Sequence, residues 1–299
     1  MPASETAATS RAPRRKWYHP LALLERLVIY AVIGYVTICV YLYAMQTSLI
    51  YVGMTPGFTT PQAIAQAAHY GLVPWPESPA NSPDPAPFEG FVPRDFTHPA
   101  PRGTIVLFQG NGGWALDRIP YIEAFTPRGF RTLLFAYPGY GGRPGTPSEK
   151  TIVPDARALI RSLDAAGYGP VYVWGESLGA GVAAAVCADP TLPVHGLVLL
   201  TPWDTIGNVA QSYYPWIPVK LLMHDKYDSI ANLTGFQHPI CVIRSENDEI
   251  IPPRLSLNLY AHLPEPKKLI LQPGVGHNDW PRDANLPWWD DALNFIAPK

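Results

Sequence analysis

VYVWGESLGAGV, residues Val171 to Val182, decides how the chain folds. Val171 to Trp174 are apolar or aromatic and predict a buried strand; the small residues Ala180 to Val186 predict a helix. Between them stands Gly175-Glu176-Ser177-Leu178-Gly179, a Gly-x-Ser-x-Gly motif at a strand-to-helix turn. Such a turn crowds the backbone around its central residue, so its flanks must be small. Gly175 and Gly179 meet that need and leave the Ser177 hydroxyl held out at the end of a sheet. The plain alternative is a Gly-rich turn with an incidental serine; the strand-turn-helix setting favours a nucleophile.

The surrounding sequence supports that setting. Thr104–Phe108, Thr132–Ala136, Gly196–Leu200, Ile240–Arg244 and Lys268–Leu271 read as strands. Val153–Ala166 reads as a helix with Ala156, Leu159, Ile160 and Leu163 on one face. Further helices are expected near Tyr121–Pro127 and over Arg254–Leu263 and Trp288–Ile296. The strands are nearly continuously apolar rather than polar at alternate positions. That pattern implies an α/β chain with a mostly parallel sheet covered by helices on both faces.

A serine at such a turn needs a base to take its proton and an acid to orient that base, in the chain order Ser, Asp or Glu, His. After the strand ending at Arg244 comes Ser245-Glu246-Asn247-Asp248-Glu249, and after the strand ending at Leu271 comes Gly274-Val275-Gly276-His277-Asn278-Asp279. His277 is therefore the expected base. Of the other histidines, His19 precedes the apolar N-terminal run and His224 precedes the acid loop. His69, His98, His195, His238 and His262 have no motif around them. Asp248 is the preferred acid, with Glu246 and Glu249 as rivals. The oxyanion of an acyl-transfer intermediate needs two N–H donors. Leu178, directly after the serine, and Asn111, in the loop Gln109-Gly110-Asn111-Gly112-Gly113, are expected to supply them.

The N-terminal quarter has a different character. Residues 1–26 form a basic segment carrying Arg11, Arg14, Arg15 and Lys16, and 27–45 contain no charged residue. About 19 apolar residues suffice to cross a hydrocarbon core of ~30 Å, so a single transmembrane helix is expected over 27–45. No Ala-x-Ala-like cleavage site follows, which favours an anchor over a removed signal peptide. The basic flank places the N-terminus in the cytoplasm and the large domain across the membrane, in the periplasm if the source is bacterial. Residues 46–102 read as a connector: a short strand at Ser48–Val52, a helix over Pro61–Tyr70 capped by Thr60, and a Pro-rich stretch with one strand at Phe91. The catalytic core is expected over 103–299, with a short cap at about 203–238.

Composition excludes several classes. Formal net charge is −2 over 299 residues, which argues against nucleic acid as a partner. Hydrophobic residues make up 47% and charged residues 15%, as for a chain with a large core or a membrane segment. Cys39, Cys187 and Cys241 form no CxxC and no cluster with histidine, so no metal or cofactor is expected. They read as buried free thiols, with a Cys187–Cys241 disulfide left open. Oligomeric state is not legible.

Five stretches carry a family resemblance. They are Gln46-Thr47-Ser48-Leu49-Ile50-Tyr51, Gln109-Gly110-Asn111-Gly112, Tyr137-Pro138-Gly139-Tyr140-Gly141 with Gly145-Thr146-Pro147-Ser148-Glu149, the serine turn, and Asn247-Asp248-Glu249-Ile250-Ile251-Pro252 with Gly276-His277-Asn278-Asp279. In this order they resemble the α/β-hydrolase superfamily, and within it the membrane-anchored serine hydrolases related to acylglycerol lipases and protein depalmitoylases. The resemblance implies the α/β-hydrolase fold, Ser177 as nucleophile, Asp248 and His277 as its partners, and Asn111 and Leu178 as oxyanion donors. Gln109 stands where the family usually has histidine, Pro138 where arginine is common, and Arg143 where a small residue is. The family's early hairpin is not recognisable in the Pro-rich connector. The expected activity is hydrolysis of a small-molecule or lipid-like acyl ester or thioester through an acyl-enzyme. A peptidase or amidase on the same triad, or a silent anchored binding protein, are the alternatives.

Overall fold

The computed structural model describes residues 20–55, 57–76 and 88–298. The basic residues Arg11, Arg14, Arg15 and Lys16 lie outside them. The chain divides into two units, one ending at Ala44 and one beginning at Met45. The first helix, α1 (Pro20–Ile50), runs through that boundary. Within its 30 residues Leu21–Ile50, an 18-residue window reaches a mean hydropathy of 2.1, and among the described residues α1 is the one helix long and apolar enough to cross a membrane. The expected span, 27–45, lies inside it.

The strand expected at Ser48–Val52 does not form: residues 48–50 complete α1, and the Tyr51 N–H still donates to the Thr47 carbonyl at 2.9 Å. No glycine or proline occurs between Tyr35 and Val52, and the last turn acquires buried partners through Gln46 and Tyr51, described below. Helix α2 (Thr60–His69) begins one residue earlier than expected. Thr59, not Thr60, is its cap, with the Gln62 side chain accepting from the Thr59 N–H at 2.8 Å. The connector also holds more sheet than expected. Strand β1 (Leu72–Trp75) pairs antiparallel with β2 (Gly90–Pro93), Leu72 opposite Pro93 and Trp75 opposite Gly90. Leu72-Val73-Pro74-Trp75 contains a proline, which removes a ladder donor, and β1 is accordingly the edge strand.

From residue 103 the elements follow the expected alternation. They are β3 (Gly103–Phe108), α3 (Ile119–Phe125), β4 (Phe130–Phe135), α4 (Glu149–Ala165), β5 (Val171–Glu176), α5 (Leu178–Cys187) and β6 (Val194–Leu200). Then come the cap helices α6 (Ile206–Tyr213), α7 (Val219–Leu222) and α8 (Ser229–Leu233), followed by β7 (Ile240–Ser245), α9 (Pro253–His262), β8 (Lys267–Gln272) and α10 (Pro287–Ile296). Helix α4 starts four residues before its first expected residue because Ser148 caps it, accepting from the Thr151 N–H. The strands form one sheet in the order β1-β2-β4-β3-β5-β6-β7-β8, parallel from β4 through β8.

The continuous apolar strands have the physical cause inferred for them. Val106 and Phe108 of β3, Val173 of β5 and Val242 of β7 share one core with α4 and α5. The intervening Ile105 and Leu107, Tyr172 and Trp174, and Cys241 and Ile243 share the other core with α3 and α10. Successive side chains leave opposite faces of a strand, so both sets must be apolar when both faces are covered. Cys187 and Cys241 are free thiols, both buried. Burial raises both pKa values, that of Cys241 to about 12.

Candidate active site

Because β3, β5, β7 and β8 run parallel, the loops after them emerge at one end of the sheet. Those loops carry Asn111, Ser177, Asp248 and His277. Ser177 has φ 53° and ψ −113°, a conformation that costs a non-glycine residue roughly 1–3 kcal/mol and persists only when its surroundings impose it. Here they do: the Ser177 N–H donates to the Leu200 carbonyl at 2.9 Å, and the glycines leave no room for relaxation. A Cβ on Gly175 would strike the Gly179 carbonyl, and one on Gly179 would strike the carbonyl of Phe108 in β3. Both positions must therefore be glycine.

The three separated residues meet. The Ser177 Oγ lies 2.9 Å from His277 Nε2. On the other side of the ring, Nδ1 lies 3.0 and 2.9 Å from the two carboxylate oxygens of Asp248. Asp248 is itself held by the N–H groups of Ile250 and Ile251, which donate to its Oδ1 at 3.0 and 2.7 Å. The Asp248 and His277 side chains are each 6% exposed, so the pair is shielded from water. A carboxylate facing Nδ1 fixes the tautomer with its proton there and turns the lone pair of Nε2 toward the serine.

The two rival carboxylates do different work. Glu249 Oε2 accepts from the His277 N–H at 3.0 Å, and Glu246 Oε2 accepts from the Gly274 N–H at 2.8 Å. They hold the histidine loop by its backbone rather than the imidazole. The bond from His277 also keeps the Glu249 carboxyl below its usual pKa.

Asn111 and Leu178 line one cavity of about 380 Å³ with Ser177 and His277. The Asn111 loop is held from behind. Its carbonyl accepts from the Gly53 N–H at 2.8 Å and from the Tyr140 hydroxyl at 3.0 Å, while the Gln109 carbonyl accepts from the Tyr137 hydroxyl at 2.7 Å. Burial raises the pKa of both phenols and keeps them protonated as donors. The rest of the cavity is mostly apolar, with Leu49, Ile50, Trp203, Val209, Met223 and Ile251 among its walls. A second cavity, about 370 Å³ around Cys187 and His238, contains none of these groups. No cluster of His, Cys, Asp or Glu suited to a metal occurs among the described residues.

Three features of the site were not legible in sequence. Glu176, inside the serine motif, pairs with Arg118 at 2.8 Å and accepts from the Tyr121 hydroxyl at 3.1 Å, in a nearly buried pair that is 14% and 8% exposed. Its position beside Ser177 was a signal, since a buried acid in such a turn must find a cation. Tyr51, the residue after α1, donates to Asp225 Oδ2 at 2.5 Å, and the Asp225 Oδ1 accepts from the Glu149 N–H at 3.1 Å. Leu49 and Ile50, expected in a connecting strand, instead form a wall of the cavity.

Comparison with known proteins agrees with this architecture. Residues 103–223 match the family described as alpha/beta hydrolase fold. An uncharacterized protein of Mycobacterium tuberculosis is 38% identical over 178 residues, covering 58% of this chain and 63% of that one. The lysophosphatidylserine lipase ABHD12 of Macaca fascicularis is 29% identical over 177 residues, covering 52% and 44%. The chain thus spans less than two thirds of the length of these curated relatives. Among solved structures, Est1E of Butyrivibrio proteoclasticus, with ferulic acid bound, superposes with a TM-score of 0.57 at 16% identity, covering 67% of this chain and 90% of that one. The alpha/beta hydrolase GrgF of a Penicillium species gives 0.51 at 20% identity, covering 69% and 92%. At such identities the likeness is one of fold.

Proposed function

The chain is an α/β hydrolase by fold, and from that premise we propose that it is a membrane-anchored serine hydrolase of carboxylic esters or thioesters. The observation that carries the reading is the unbroken hydrogen-bonded line from Asp248 through His277 to a strained Ser177. A silent binding protein has no need of that geometry.

In the proposed cycle the Ser177 Oγ attacks the acyl carbon as its proton passes to His277 Nε2. The imidazolium is stabilised by Asp248, and the negative charge developing on the acyl oxygen is met by the N–H groups of Asn111 and Leu178. Collapse expels the alcohol or thiol, which takes the proton from His277. Water, deprotonated by the same nitrogen, then attacks the acyl-enzyme; the acid leaves and Ser177 regains its proton. The apolar walls suit an aliphatic acyl chain, and about 380 Å³ at ~30 Å³ per heavy atom holds on the order of a dozen of them. The name of the lysophosphatidylserine lipase relatives supports a lipid-like substrate. Helix α1 serves as a single span, with the basic N-terminus in the cytoplasm and the catalytic unit on the far side. The lipase name of the ABHD12 relatives also favours an ester over an amide.

The test is hydrolysis of a series of p-nitrophenyl and monoacylglycerol esters by the detergent-solubilised protein. Turnover that peaks at a medium acyl length and disappears in Ser177→Ala is expected. Equal turnover in wild type and Ser177→Ala would overturn the proposal.

A further inference from the structure

Nine large apolar side chains beyond residue 45 are exposed among the described residues, and six of them fall in two short stretches. Leu49 is in the last turn of α1 and Val52 lies two residues beyond it. Tyr213, Tyr214, Trp216 and Leu221 belong to the cap, where Trp216 is 87% and Leu221 84% exposed. Water-facing clusters of this kind mark a binding surface. The two stretches are joined by hydrogen bonds: the Gln46 side chain donates to the Leu222 carbonyl at 3.2 Å and accepts from the His224 N–H at 2.7 Å.

From this we infer that the α6–α7 cap lies on the membrane surface, with Trp216 and Leu221 inserted in the interfacial layer and the mouth of the Ser177 cavity opening onto the same leaflet. The inference rests on the reading of α1 as a membrane span. The 30-residue helical segment Leu21–Ile50, uncharged from Leu27 onward, rises about 45 Å, enough to cross the hydrocarbon core and both headgroup layers. Gln46 then lies in the headgroup layer where the chain leaves the bilayer. Leu222 and His224, hydrogen-bonded to it, are held at the same level, with Leu221 next in sequence.

Charge points to the same occupant. Residues 205–224 contain no carboxylate, and the two that bound them, Asp204 and Asp225, are buried. Asp204 accepts from the amides of Asn208 and Asn258, and Asp225 from Tyr51. Lys220 and Lys226 are the cations of this surface, suited to anionic headgroups while their stems lie along apolar neighbours. A tryptophan beside tyrosines is the composition expected where a surface meets a bilayer interface. Leu49, Tyr213 and Tyr214 both line the cavity and are exposed, so they stand at its mouth. A single-tailed acyl ester therefore reaches Ser177 from the leaflet without crossing bulk water.

The full chain, carrying Cys39→Ala and a fluorophore placed by Trp216→Cys, Leu221→Cys or Glu265→Cys, would be reconstituted in phosphatidylcholine vesicles doped with phosphatidylglycerol. Glu265 precedes β8 at the opposite end of the sheet. Spin-labelled lipid is expected to quench the dye at 216 and 221 and leave that at 265 unchanged. In a paired assay, the double substitution Trp216→Ser with Leu221→Ser is expected to lower kcat/KM on a vesicle-borne ester on the order of tenfold. Its activity on a short water-soluble ester should stay at the wild-type level. Dyes at 216 and 221 as unquenched as that at 265, in protein that resists alkaline extraction, would overturn the inference while the span stands. Release of the protein by alkaline extraction would remove the span and the inference together.

Discussion

Replacing Tyr51 by phenylalanine removes one hydroxyl and keeps the buried ring, so its effect isolates a hydrogen bond. Tyr51 is fully buried and Asp225 nearly so. The phenol donates to Asp225 Oδ2 at 2.5 Å and lies 3.2 Å from the Tyr227 hydroxyl. Burial, with the neighbouring Tyr227 and Asp225, holds the Tyr51 pKa far above its usual value, so it remains the donor at any working pH. A hydrogen bond to a charged acceptor contributes about 1.5–3 kcal/mol, and Asp225 would keep only the Glu149 N–H. A loss of about 2 kcal/mol in a domain of this size lowers Tm by roughly 4–8 °C. Calorimetry of the detergent-solubilised protein would measure it. A double-mutant cycle with Asp225→Asn should return a coupling of about 1–2 kcal/mol, because both changes break one contact. A Tm within about 1 °C of wild type, or strict additivity in the cycle, would refute the claim that this bond fastens the end of α1 to the cap.

Other substitutions probe the rest of the account. Asp248→Asn should lower kcat about 10⁴-fold on a soluble ester by presenting the wrong tautomer to Ser177, whereas Glu246→Gln, which keeps an oxygen to accept from the Gly274 N–H and loses only the charge, should cost less than about tenfold. Arg118→Met leaves Glu176 as an unpaired, nearly buried carboxylate and should destabilise the fold by about 3–5 kcal/mol in chemical denaturation; a change below about 1 kcal/mol would mean that the pair is well solvated. The Cys241 thiol, raised to about 12 by burial, should be thiolate in only on the order of one molecule in ten thousand at pH 8, against about a quarter for an ordinary thiol. It should resist Ellman's reagent until the protein unfolds. Since its folded pKa exceeds the unfolded one, its contribution to stability is intact below about pH 8.5 and is lost as pH rises toward about 12, which alkaline unfolding curves would show.

The α/β part of the chain was legible because its signals are local and mutually consistent. Strands β3 through β8 are short apolar runs between turn residues, and covering both sheet faces forces that pattern. The serine motif announces its own geometry, since Gly175 and Gly179 abut backbone that no side chain could displace. Chain order alone singled out Asp248 and His277, which the fold brings together across 29 residues of sequence, with Ser177 a hundred residues from His277.

What failed to read depends on distant partners. Ser48–Val52 has the β-branched and aromatic content of a strand, yet it ends a helix whose last turn is secured by Leu222, His224 and Asp225, more than 170 residues downstream. Strand β1 carries a proline and sits at the sheet edge, where periodicity is weakest. The end of α1 as a cavity wall could not be inferred from Leu49 and Ile50 alone, because their neighbours are supplied by the cap.

The central claim is that Ser177 is an activated nucleophile. The most direct measurement is mass spectrometry of the membrane-bound protein after treatment with a fluorophosphonate. The account predicts one phosphonyl adduct, on the peptide containing Ser177, absent in Ser177→Ala and strongly slowed in His277→Ala. A folded wild-type protein that acquires no adduct, or acquires one equally well without His277, would contradict it.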